Sequence, residues 1–213
     1  YTGNNIQAYF KNCFIDGNTD YIFGGGDVLF DACELSYYGY SNTQKGAYIT
    51  AAADGSTTGY IFRNCYVSAN DAWDVAAGYF GRPWRSSATV AFLNTKLQTK
   101  DTVTAVGWNS MSGARPEDAN YQEYNTTVLG SGAADVSART AGTVKNENPY
   151  ADIVQTFKGW QPFYFVQETD TAVTVKDIAI EGELKTGSVL KALYTLSGNE
   201  KADASVLEWY RIT

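Results

Sequence analysis

Two short segments hold the residues best suited to chemistry. In Asn18-Thr19-Asp20-Tyr21-Ile22-Phe23-Gly24-Gly25-Gly26 a single carboxylate precedes an aromatic-aliphatic run that ends in three glycines. Asp is disfavoured within strands, so Asp20 is either a turn residue that caps a strand or a carboxylate held at a strand edge to react. In Gly81-Arg82-Pro83-Trp84-Arg85, Gly81 frees the backbone and Pro83 fixes it, so Arg82 and Trp84 project to the same side of an extended run. An Arg beside an Asp favours the ionised carboxylate and orients it through charge-assisted hydrogen bonds, which is what a carboxylate nucleophile needs. The same two residues could equally form a structural salt bridge on a protein surface, and the two segments alone leave both readings open.

The chain contains no histidine. This removes Ser-His-Asp and Cys-His hydrolysis and the His-containing zinc sites, and leaves carboxylates, Arg, Lys, Tyr or Cys to carry any hydrolytic chemistry. Cys13, Cys33 and Cys65 lack the paired short spacing of a zinc site. A formal charge of -7 argues against a nucleic-acid partner, which needs a basic face. No apolar run reaches membrane-spanning length, so no membrane partner is expected, and the start at Tyr1-Thr2-Gly3 shows no signal peptide. The 16 Tyr and 5 Trp suit carbohydrate surfaces, although they are equally good core filler.

What must position these residues is an irregular internal repeat over the first 130 positions. Phe10-Lys11-Asn12-Cys13-Phe14-Ile15, Phe30-Asp31-Ala32-Cys33-Glu34-Leu35 and Phe62-Arg63-Asn64-Cys65-Tyr66-Val67 align, followed by Phe92-Leu93-Asn94-Thr95-Lys96-Leu97 and Tyr124-Asn125-Thr126-Thr127-Val128-Leu129. Their first residues are 20, 32, 30 and 32 positions apart, and each segment places Cys or Thr between an aromatic and an aliphatic residue. Such recurrence fits an all-β parallel β-helix, in which each turn lies on the last and like side chains form ladders about 4.8 Å apart. Asn12, Asn64 and Asn94 then form a partial ladder at a corner, and the Cys/Thr position is an interior stack of small side chains. Cys13 and Cys33, on adjacent turns, are close enough for a disulfide, and a ladder of buried free thiols is the other arrangement allowed. Asp71 to Gly81 and Gly107 to Asn120 read as loops thrown out from the coil. On such a coil Arg82 lies two turns from Asp20, about 10 Å along the axis, within reach of a long side chain.

After Gly130 the pattern changes to an irregular strap, Gly130 to Asn148, with one short helix expected over Tyr150–Phe157. Trp160, Pro162, Phe163 and Phe165 form an apolar closure that caps or braces the coil. A new texture begins near Glu168: Val173 to Ile180, Val189 to Leu196 and Val206 to Tyr210 read as three strands of a small all-β module. This resembles part of an immunoglobulin-like β-sandwich with Trp209 in the place of the core Trp, which sets domains at 1–167 and 168–213.

Gly17-Asn18-Thr19-Asp20-Tyr21-Ile22-Phe23-Gly24 together with Gly81-Arg82-Pro83-Trp84 resembles the pectin methylesterase (pectinesterase) family. Gln7-Ala8-Tyr9-Phe10, Ile49-Thr50-Ala51, Gly107-Trp108 and Tyr121-Gln122-Glu123-Tyr124-Asn125 match at family-like spacing, so the likeness covers roughly 1–165. The resemblance implies a right-handed parallel β-helix of bacterial type, secreted or at the cell surface, that hydrolyses methyl esters of pectin (homogalacturonan) with no cofactor or metal. It implies Asp20 as the nucleophile, Arg82 as the residue that holds and ionises it, and Phe23, Trp84 and Thr19 in the substrate cleft. Tyr21 stands where Phe is commoner, and Ala51-Ala52-Ala53-Asp54 replaces a more polar run. The family's Gln-Asp pair, oxyanion donor and general acid–base, falls at or before residue 1, which implies an N-terminally truncated, inactive fragment. The alternatives are a pectate lyase or polygalacturonase, which share the coil, and a carbohydrate-binding coil without turnover. A lyase would need calcium-binding carboxylates.

Overall fold

The computed structural model describes residues 1–40, 46–70, 77–160, 174–182 and 191–197, in two compact units, 1–160 and 161–213. The first unit is a parallel β-helix. Its first turn is β1 (Gln7–Lys11), β2 (Phe14–Gly17) and β3 (Thr19–Gly24), and its second is β4 (Asp27–Asp31), β5 (Glu34–Tyr37) and β6 (Gly46–Ala52). The third turn is β7 (Tyr60–Arg63), β8 (Tyr66–Ala69) and β9 (Ala77–Gly81). β10 (Thr89–Leu93) and β11 (Lys96–Leu97) follow, then β12 (Asn120–Tyr124), β13 (Thr127–Val128) and β14 (Gly132–Ala133). They stack as three sheets, ordered β1-β4-β7-β10-β12, β14-β13-β11-β8-β5-β2 and β3-β6-β9, all parallel except β13–β14.

Strand alternation sends every second side chain inward, and the register stacks like on like. Phe10, Phe30, Phe62 and Phe92 are in-register partners whose rings stack at 5.1, 4.5 and 4.4 Å between centroids. The fifth member of this column is not Tyr124 but Glu123, one residue earlier, because Phe92 pairs with Glu123 and Leu93 with Tyr124. Glu123 is buried and its carboxylate is paired with the equally buried Arg139, whose Nε lies 2.9 Å from Oε2. Arg139 also donates through Nη1 to the carbonyls of Thr104 and Ala105 and lies over the Phe80 ring. The strap then pairs with the last turn through Glu123 N to Thr143 O and Lys145 N to Glu123 O.

The corrected register improves the corner ladder. Asn12, Asn64, Asn94 and Asn125 all have positive φ, and amides link Asn125 to Asn94 and Asn94 to Asn64 at 2.9 and 3.1 Å. The Cys/Thr column is Cys13, Cys33, Cys65, Thr95 and Thr126. All three cysteines are free, so the disulfide allowed between Cys13 and Cys33 does not form here. The Sγ of Cys33 instead donates to Phe10 O, and Cys65 to Phe30 O, each on the preceding turn. Ala77–Gly81, expected to be loop, is the third strand of the β3-β6-β9 sheet, with buried Phe80 turned inward. Residues 107–119 lie outside the regular strands, apart from isolated bridges and a short helical turn at Pro116–Asp118, whereas Asn120, expected to end the loop, already begins β12.

Leu29, Ile61 and Ala91 alternate with the inward residues and so face outward, yet all are fully buried. Beyond the strap, α1 (Ile153–Thr156), within the expected helix and capped by Asp152, buries Ile153 and is pinned to the coil by Thr58 Oγ1 donating to Thr156 O. Trp160 packs edge-on against Phe157, whereas Pro162, Phe163 and Phe165 lie outside the described residues. In the second unit β15 (Thr174–Glu181) and β16 (Lys191–Ser197) form an antiparallel pair with an irregularity between Lys176 and Ala179. The third expected strand, with Trp209, lies outside the described residues.

Ala32 takes the corner position between Asn12 and Asn64 with φ +51°, a left-handed conformation that costs an alanine about 1–2 kcal/mol. Asn tolerates it and would extend the amide ladder. Ala32→Asn is expected to raise unfolding free energy by roughly 1 kcal/mol in chemical denaturation; a decrease would contradict this account of the corner.

Candidate active site

The site is built on the outer face of the β3-β6-β9 sheet. β3 pairs with β6 as Thr19↔Tyr48 and Ile22↔Thr50, so Asp20 and Tyr21 together oppose Ile49 and form a bulge. Asp20 has φ +53° at this bulge. Bulges re-aim side chains, and left-handed backbone at a non-glycine residue persists only where its surroundings enforce it. Gly17 makes room, since a Cβ there would sit 2.5 Å from Tyr21 Cβ.

Arg82 comes from the third turn. Arg82 N donates to Thr50 O and Trp84 N to Ala52 O, so the Gly-Arg-Pro-Trp segment prolongs the pairing of β9 with β6. The guanidinium forms a fork with Asp20: Nε to Oδ1 at 2.9 Å and Nη2 to Oδ2 at 2.8 Å. This is the two-turn span expected from the sequence. Between the partners, on the middle turn, Tyr48 lies beneath the guanidinium, with Cζ 4.0 Å from the ring centroid. Tyr48 stacks on Tyr79, and its hydroxyl accepts from Asn109 Nδ2 at 3.2 Å. The hydrogen bond to Asp20 raises the Arg82 pKa despite burial, and the Asp20 charge adds to the effect. Tyr121 is buried nearby. Burial pushes its hydroxyl well above the usual range, and the Asp20 charge acts in the same direction.

Aromatic rings flank the pair. Phe23 and Trp84 face each other at 6.2 Å with planes tilted by 60°, and Tyr1 lies 5.3 Å from Phe23. Thr19 Oγ1 is hydrogen-bonded to the Tyr40 hydroxyl. The structure therefore brings Asp20, Arg82, Phe23, Trp84 and Thr19 onto one sheet and its extension. Tyr48, Tyr79 and Asn109 join the site only in the structure. The recurrence of Tyr between inward residues, in Ala47-Tyr48-Ile49 and Gly78-Tyr79-Phe80, is the signal that could have found the first two.

A second fork shows what an ordinary pair looks like on this coil. Arg63 binds Asp31 through Nε at 3.1 Å and Nη2 at 2.6 Å, but these two are register partners on adjacent turns, in unbulged strands. Asp20 instead sits in a bulge, is reached across two turns, and keeps 18% of its side chain exposed among aromatic rings. Each of its oxygens has a second lone pair beyond the one Arg82 uses, so the carboxylate is oriented by the fork and keeps free acceptor capacity. Among the described residues no three His, Cys, Asp or Glu side chains cluster as a metal site would need.

A family profile described as Pectinesterase matches residues 1–154. The chain belongs to the pectinesterase family. It is 38% identical over 138 residues to the "Probable pectinesterase A" of Neosartorya fischeri, covering 62% of this chain and 38% of that protein. It is 34% identical over 118 residues to "Putative pectinesterase 14" of Arabidopsis thaliana, covering 54% and 33%. Among solved structures, the pectin methylesterase from Aspergillus niger superposes with TM-score 0.57 at 30% identity, over 72% of this chain and 47% of that one. The pectin methylesterase from Erwinia chrysanthemi, at 22% identity, TM-score 0.56 and coverages of 75% and 52%, shares the fold. The chain thus spans well under half the length of the curated relatives it matches.

Gly81 shows how closely the candidate site is fitted to the coil. A Cβ there would lie 1.9 Å from Thr50 Oγ1 and 2.6 Å from Thr50 O. Gly81→Ala must push the Arg82 segment off β6, and is expected to lower stability by about 1–3 kcal/mol in urea titration. An unchanged midpoint would show that this close approach is not required.

Proposed function

We propose that the whole protein hydrolyses methyl esters of polygalacturonate, giving pectate and methanol. The observation that carries this reading is the Asp20–Arg82 fork, set in a left-handed bulge beside Phe23 and Trp84, in a chain of this family. The Asp20 carboxylate attacks the ester carbonyl, and collapse of the tetrahedral intermediate expels the methoxy group, which takes a proton and leaves as methanol. Water then adds to the acyl-enzyme, releasing the galacturonate carboxylate and restoring Asp20. Arg82 fixes the nucleophile, the rings of Phe23 and Trp84 receive sugar faces, and the Thr19 hydroxyl stands at the edge of the cleft.

The leaving group needs a proton donor and the second step a base. Among the described residues, both Asp20 oxygens are held by Arg82 and no second carboxylate is bonded to them. On this reading the Gln-Asp pair that the family places at or before residue 1 does that work. Without it the rate falls by about 10²–10⁴ for acid–base help and by about 10²–10³ for an oxyanion donor. A site acting on pectin works outside the cell, and the β15–β16 pair is read as part of an immunoglobulin-like module in the second unit.

The net charge of -7 disfavours a polyanion, so the preferred substrate is heavily methylated and nearly neutral. The full-length protein is expected to release methanol faster from highly than from sparsely methylated pectin, with no ultraviolet-absorbing unsaturated ends. Added salt should narrow the difference. Faster release from sparsely methylated pectin would overturn the charge argument, and unsaturated products would make the protein a lyase.

A further inference from the structure

The ester chemistry leaves the outer face of the β2-β5-β8 sheet unused, and the register fixes what that face presents. Phe14, Glu34 and Tyr66 are in-register partners on three successive turns, with Lys96 next in the column. Asp16, Ser36 and Ser68 form the adjacent outward column. Ser36 and Ser68 are small and buried, whereas Phe14 is 63% and Tyr38 46% exposed. The result is a groove of about 340 Å³ that crosses the strands, parallel to the coil axis. The serines form its floor, and Phe14, Tyr66 and Tyr38 stand along its sides. Phe14 and Tyr66 are two rungs apart, about 10 Å, close to the length of two linked pyranose rings.

The polar groups are disposed to meet hydroxyls. Glu34 Oε1 accepts from Ser68 Oγ at 2.7 Å, which leaves its other oxygen as an acceptor, and Asp16 is exposed at the same face. Gln98 Oε1 is taken by Ala69 N at 2.8 Å, so its amide nitrogen is the donor it has to offer. Flat apolar rings beside carboxylate acceptors and an amide donor match the two chemistries of a sugar, apolar C–H faces and equatorial hydroxyls. The charge selects among sugars. Two carboxylates in the groove, with Lys96 outside it beyond Tyr66 in the same column, repel polygalacturonate and nucleic acid but accept hydrogen bonds from a neutral chain.

We propose that this groove binds a neutral oligosaccharide running along the coil axis, at a site separate from the Asp20 cleft. Phe14 and Tyr38 stack on sugar rings, and Asp16 and Glu34 accept from their hydroxyls. The test is an amide NMR titration of the 213-residue chain with galactotetraose and cellotetraose as neutral probes and trigalacturonic acid as the anionic one. At least one neutral probe is expected to shift Ser36, Tyr38, Ser68 and Gln98, while trigalacturonic acid leaves them in place. Tyr38→Ala, at an exposed position, should keep the native spectrum and weaken binding roughly tenfold. Asp20→Asn should leave it unchanged. Silence of these amides with both neutral probes, equal response to trigalacturonic acid, or undiminished binding by Tyr38→Ala would overturn the proposal. Shifts at Phe23 and Trp84 with the acidic probe bear on the ester reading alone.

Discussion

The constraint on which the structure depends is the in-register stacking of parallel turns. Each rung lies about 4.8 Å from the next, so a residue's neighbours along the axis are fixed by its place in the turn. Inward, this gives a column of phenylalanine rings and a Cys/Thr column, and at an exposed corner a row of asparagines. Outward, it sets Tyr48 and Tyr79 face to face and brings Arg82 within reach of a carboxylate two turns away. Because the site's main residues ride on this lattice and its edge, their spacing is set by the packed core beneath.

That rigidity also explains how an aspartate is held in an unfavourable backbone conformation. A left-handed non-glycine residue costs on the order of 1–3 kcal/mol, and here β3 is fastened to β6 on both sides of the bulge. The end of the stack is handled differently. Where the phenylalanine column stops, Glu123 takes its place and Arg139 neutralises it, while binding the carbonyls of the segment that leads to Trp108. Trp108 and Asn109 in turn pair with Gly81, next to Arg82. The buried ion pair and Arg82 thus belong to consecutive layers of one packed structure.

The coil was legible because ladders repeat residue types: Phe, Asn and Cys recur at the same place in successive turns. At Tyr124 the repeat is displaced by one residue in the sequence, because an exterior aromatic imitates the interior one and a buried Glu breaks the rule that interiors are apolar. Ala77–Gly81 does not read as strand in the sequence because two glycines in five residues obscure strand alternation. Asp20 and Arg82 were legible as a pair because the two-turn distance follows from the stacking alone. Tyr48 and Asn109 were not, since cation stacking and a loop-borne amide leave no periodic trace in sequence.

The central claim is that Asp20 is a nucleophile held by Arg82 and not merely a partner in a salt bridge. Methanol release by the full-length protein carrying Asp20→Asn tests it most directly, because the amide preserves the shape and one of the two hydrogen bonds from Arg82 but cannot form the acyl-enzyme. The account predicts loss of turnover with the fold and oligogalacturonate binding retained. Undiminished methanol release by the same variant would contradict it.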